Sequence, residues 1–166
     1  MHKEHQMPGV EEAIERSPGW LLHLLDNCND NEHLPIIVFS SCRFLYTCNN
    51  ALETELAACL EGVALTLEWS EAWFILETDC MVAANMIMQT EQGLSPAAAT
   101  VEEIKHLLCM YREHAISLVR RYRNFAALRL AQLGHNNSRT TVWLRSVPLE
   151  IHSLHENDCN NPMVNK

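Results

Sequence analysis

The sequence predicts an α/β fold. Short β-branched and aromatic runs alternate with helix-period segments along the chain. The length of 166 residues suits one domain with its own core, and 48% apolar against 20% charged residues is an ordinary globular balance. No stretch reaches the roughly 18 apolar residues of a membrane helix, so no membrane partner is expected.

Residues 1–17 are polar and read as an N-terminal tail. Trp20–Leu25 (WLLHLL) is a short apolar run ending at Asp26, a buried strand or a helical turn. After the turn-forming CNDNEH, Pro35 opens IIVFSSCRFLYT, which reads as a strand. Asn50 followed by Glu53 resembles a capping box, and Leu56, Cys59, Val63 and Leu67 then repeat at helical spacing, predicting a helix over 51–69. WFIL (73–76) is a strand, and Asp79 is placed to cap a second helix, MVAANMIM. A third helix falls within 95–113, with Val101, Ile104, Leu107 and Leu108 on one side. AISLVRRY (115–122) is a strand with a basic end. Asn124 opens a last helix, which Gly134 ends. The main domain is thus expected at 18–136, with a C-terminal extension at 137–166.

The formal charge of −9 is the wrong sign for a protein that grips phosphates, but it is a sum of unlike parts. Residues 1–104 hold 17 acids against 3 bases, whereas 105–129 hold six bases, Lys105, Arg112, Arg120, Arg121, Arg123 and Arg129, against Glu113. The seven cysteines are scattered without a C-x-x-C pair, so buried thiols in a reducing compartment are expected rather than zinc. The polar, acidic opening lacks the apolar run of a secretory leader, and the expected location is intracellular, cytoplasm or nucleus. Trp69 and Trp73 read as core, and Met81, Met86 and Met88 as core or helix-flank filler.

Asp26, Glu55 and Asp79 stand at element ends, where an α/β sheet usually places its site. Each also has an ordinary structural role, as turn former, first-turn acid and helix cap. If the three converge, their oxygens suit a hard divalent cation.

ETELAACLEGVALTLEW followed by FILETDCMVAANMI resembles the ribonuclease H-like domains that plants carry, relatives of the ribonuclease H of retroelement reverse transcriptases. ELAACLEGV matches the family's A-E-L-x-A-x-x-x-G-L helix, and ETD matches its strand-ending E-(S/T)-D. SPGWLLHLLDN is similar to the first strand, ISLVRRYRNFAALRLAQLG to the basic strand, turn and last core helix, and the tail to a subgroup's C-terminal extension. The resemblance implies a ribonuclease H-like mixed sheet with flanking helices, five strands in all, the first three an antiparallel meander. It implies hydrolysis of the RNA strand of an RNA–DNA hybrid with Mg²⁺ or Mn²⁺ held by Asp26, Glu55 and Asp79. It places nucleic-acid contacts on Arg120, Arg121, Arg123 and Asn124.

Two departures from the family pattern bear on activity. Only CNDNEHL (28–34) fills the interval where the family has a glycine-rich second strand, so one N-terminal strand is expected to be missing. The family's last active-site residue, Asp or His, falls on Leu128, which can neither coordinate metal nor move a proton. Two functional readings stand side by side. One is a metal-dependent hybrid ribonuclease. The other is a catalytically inactive module that binds nucleic acid through its basic segment, or a protein partner at an exposed sheet edge.

Overall fold

A computed structural model describes residues 19–24, 36–45, 48–71, 74–89, 96–110 and 113–159. The elements run β1 (Gly19–Leu24), β2 (Ile36–Cys42), α1 (Ala51–Trp69), β3 (Phe74–Thr78), α2 (Met81–Met88), α3 (Ala98–Leu108), β4 (His114–Leu118), a 3₁₀ turn (Arg121–Arg123), α4 (Phe125–Asn137), β5 (Thr141–Leu144) and α5 (Leu149–Cys159). The α/β class is as the alternation predicts, with antiparallel and parallel strand pairs both present.

The strands divide differently from the single sheet implied by the resemblance. Among the described residues, β1, β2 and β5 form one antiparallel sheet with β2 in the middle, and β3 pairs with β4 in a parallel one. β1 pairs with β2 directly, from Gly19 opposite Cys42 to Leu24 opposite Ile36, so no strand stands between them. The third partner comes from the far end of the chain. β5 lies antiparallel on β2, with Phe39 opposite Leu144 and Cys42 opposite Thr141. β2 is thus paired on both edges, by β1 on one and by the chain's own C-terminal segment on the other. Two further bonds tie it there: Ser40 Oγ donates to the Ser146 carbonyl at 2.9 Å, and the Phe44 N–H donates to Thr140 Oγ1 at 3.3 Å.

Alternation along β2 divides the interior between two layers. On one side Phe39 joins Leu56, Cys59 and Val63 of α1, Phe74 and Leu76 of β3, Ala83 and Ile87 of α2, and Val101, Ile104 and Leu108 of α3. On the other, Cys42 packs with Ala126 and Leu130 of α4 and Ile151 of α5, against Trp143 of β5.

Several local expectations are revised. β2 stops at Cys42, which is as far as β1 and β5 reach to pair with it. α3 is Ala98–Leu108, and β4 is His114–Leu118, which pairs residue for residue with Phe74–Thr78 of β3. Gly134 does not end α4, which continues to Asn137. A Cβ at Gly134 would sit 3.1 Å from Cys42 Cβ, so the glycine serves the close approach of α4 to β2. The helix ends at Ser138, whose φ of 49° is left-handed. The Arg139 N–H bonds back to the Gly134 carbonyl and the Ser138 N–H to that of His135, a Schellman closure. Trp69 is 46% exposed rather than core, while Met81 and Met88 are exposed and Met86 packs against the core. Trp73 lies outside the described residues.

Candidate functional site

β3 alternates so that Phe74, Leu76 and Thr78 face the core and Glu77 faces out. Its C-terminal end is held on two sides. The Thr78 carbonyl accepts from the Val119 N–H at 2.9 Å, and Thr78 Oγ1 accepts from the Cys80 N–H at 3.1 Å. Asp79 follows in a bend, and Cys80, not Asp79, occupies the N-cap of α2 without a side-chain capping bond. With Thr78 turning the chain, the Asp79 carboxylate is left to another partner. Arg121 Nε lies 3.9 Å from its Oδ2, an ion pair whose arginine is largely exposed and therefore well screened.

Glu55 stands in the first turns of α1. Asn50 caps this helix by accepting from the Glu53 N–H at 3.0 Å, and Glu53 in return accepts from the Asn49 N–H at 3.0 Å, one residue outside the usual capping box. Thr54 and Leu56 are buried on either side of Glu55. Cys59, four residues on, shares its face of the helix. Burial pushes the Cys59 thiol far above its ordinary range, and the charges of Glu55 and of a Cys80 thiolate push the same way. The Cys80 thiol is raised too, first by burial and then by Glu55 and Asp79, against the pull of the Ala83 and Val82 amides. Glu55 and Asp79 therefore act on one thiol. Both are thus within electrostatic reach of Cys80, and Asp26 lies outside the described residues.

Two carboxylates match a hard cation in kind but are a short set in number. Among the described residues, no group of three or more His, Cys, Asp or Glu side chains has the arrangement to hold a metal ion. Leu128 is half-buried on α4, its N–H bonded to the Asn124 carbonyl at 3.0 Å, and brings no ligand atom.

The basic residues follow β4, and Arg121 among them pairs with Asp79. Beyond Leu118 one further bond, from the Val119 N–H to the Thr78 carbonyl, closes the ladder with β3, and the chain turns. The Arg123 N–H bonds to the Arg120 carbonyl at 2.7 Å and the Asn124 N–H to that of Arg121 at 3.1 Å, closing the 3₁₀ turn. Arg120 and Arg121 are exposed, and Arg123 and Asn124 half-buried. Asn124 is the N-cap of α4, although its side chain makes no capping bond. Sequence reasoning passed over Tyr122 and Phe125, which are exposed in this same segment. The interleaving in Arg121-Tyr122-Arg123-Asn124-Phe125 is the signal that marks them.

The family model described as reverse transcriptase-like matches residues 24–134. The chain belongs to the reverse transcriptase-like family. In this ribonuclease H-like family member, the matched stretch runs from the end of β1 through most of α4, so it takes in Asp26, Glu55, Asp79 and the arginine turn. β5 and α5 lie beyond it. No curated protein and no solved structure matches the chain. No helix among the described residues of this reverse transcriptase-like protein is long and apolar enough to cross a membrane.

Proposed function

We propose that this protein is a ribonuclease H-like module that binds nucleic acid, with RNA–DNA hybrid as its ligand class, through Arg120, Arg121, Arg123 and Asn124. The observation that carries this reading is the 3₁₀ turn, whose Arg121 and Arg123 stand with the N-cap Arg120 in four consecutive residues, Arg121 beside Asp79. Guanidinium groups match phosphate oxygens in charge and geometry, and the turn sits in the one strongly basic segment of an acidic chain. The test is hybrid binding by fluorescence anisotropy across a salt series. Affinity should fall steeply with salt, and the double variant Arg120→Ala/Arg121→Ala should flatten the log–log slope by about 1–2. A salt-independent signal, or one unchanged in the double variant, rejects the reading.

That Glu55 and Asp79 both act on the Cys80 thiol favours a second reading, hydrolysis of the RNA strand. Asp26, Glu55 and Asp79 would hold Mg²⁺ or Mn²⁺, and the cation would activate water for attack on the phosphodiester. Glu55 and Asp79 would act as oxygen ligands, Asp79 first giving up Arg121. Leu128 moves no proton, so turnover is expected to be slow. Mg²⁺-dependent cleavage of a labelled hybrid, abolished in Asp79→Asn, supports the hydrolase; binding without cleavage leaves the module.

A further inference from the structure

Tyr122, in the 3₁₀ turn, is 54% exposed, and Phe125, the first residue of α4, is 45% exposed. Neither belongs to the two buried core clusters. The buried face of α4 is made by Ala126, Leu130, Ala131 and Gly134, and no residue of the 3₁₀ turn is buried. Leu118, at the end of β4, is exposed beside them in sequence and extends the apolar surface. The backbone beneath is well fixed, by the Val119 N–H to the Thr78 carbonyl on one side and the Leu128 N–H to the Asn124 carbonyl on the other. Two aromatic side chains are thus exposed in and just after a hydrogen-bonded turn, with arginines before, between and after them in the chain.

A duplex presents phosphates outward and hides its base faces in the stack, so arginines suffice for it and exposed rings add little. An unpaired strand presents both, a charged backbone and free π-faces, and the usual protein answer is a basic groove interleaved with aromatic side chains. We propose that Tyr122 and Phe125 form a stacking platform for unpaired bases, so that the arginine turn takes single-stranded nucleic acid, or the unpaired end of a hybrid, more tightly than duplex. This rests on the reading that the turn binds nucleic acid and names the form it takes. Arg120, Arg121 and Arg123 hold the phosphates, and the two rings hold successive bases without regard to sequence.

The test measures dissociation constants of the full chain for a labelled single-stranded oligothymidylate and for a length-matched RNA–DNA hybrid. Tyr122→Ala and Phe125→Ala are each expected to weaken single-strand binding by roughly 5- to 100-fold while moving hybrid binding less than about twofold. Tyr122→Phe keeps the ring and should bind as wild type does. Both side chains are exposed, so unchanged melting temperatures verify that the variants are folded. If the alanine variants weaken both ligands equally, or neither, while Arg120→Ala/Arg121→Ala weakens both, the stacking platform is rejected and nucleic-acid binding stands. If the wild-type chain binds neither ligand, both proposals fall, and the patch belongs to a protein surface instead.

Discussion

Glu53 shows how much one side chain does at the start of α1. Its carboxylate accepts from the Asn49 backbone N–H and side-chain amide, and these bonds hold its pKa below the ordinary carboxylate value. A pKa lowered by folding contributes stability above the unfolded value that is lost as pH falls through the folded one. The helix start should therefore loosen only in acid, below the usual carboxylate range, and Glu53→Gln should remove that pH dependence from thermal melts. Asn50→Ala should cost about 1 kcal/mol in chemical denaturation, the usual value of a lost N-cap. Cys80 reports on the acidic site. Its thiol is raised by burial and by Glu55 and Asp79, so alkylation at neutral pH should be slow. Removing one negative neighbour in Asp79→Asn should speed it, read at that cysteine by peptide mass spectrometry. An unchanged rate would mean that Asp79 does not act on the thiol. Ser138 holds a left-handed conformation that L-residues adopt at a cost, so Ser138→Gly should stabilise by about 0.5–1 kcal/mol.

At the scale of elements, α1 is the most legible part of the chain. Its predicted limits of 51–69 are those observed, because cap, helical spacing and length agree. Leu56 is fully buried from this helix against β3, α2 and α3, and Leu56→Ala should cost about 2–5 kcal/mol in denaturant unfolding. The basic segment was legible in composition but not in shape. Its arginines continue an apolar strand pattern, but the ladder with β3 ends with Leu118 opposite Thr78, and Arg121–Arg123 form a turn. Gly134 has the look of a helix end in sequence. Its contact with Cys42, from a strand far away in the chain, is what puts it inside α4.

At the scale of the whole molecule, the C-terminal segment closes the structure. β5 supplies the outer partner of β2, and Ile151 of α5 is buried on Leu130 and Ala126. Removing residues 138–166 should expose that apolar cluster and the β2 edge, giving a chain that aggregates or loses its cooperative thermal transition. Ile151→Ala, a milder change, should cost about 2–5 kcal/mol. Full cooperativity in the truncated chain would show that this layer is not part of the folding unit.

What the sequence by itself determined is whatever depends on neighbours within a few turns: the α/β class, the α1 helix and its cap, the matched wording of ELAACLEGV and ETD, and the basic segment hidden in a net negative charge. Tertiary structure decided what depends on distant partners. It set Glu55 and Asp79 against one thiol, paired Asp79 with Arg121, gave β2 a strand from beyond the matched stretch, and left Tyr122 and Phe125 outside the core. The physical reason is common to all four. Periodicity and capping are local free energies, whereas ladder length, close approach and exposure are settled only by which remote surface arrives.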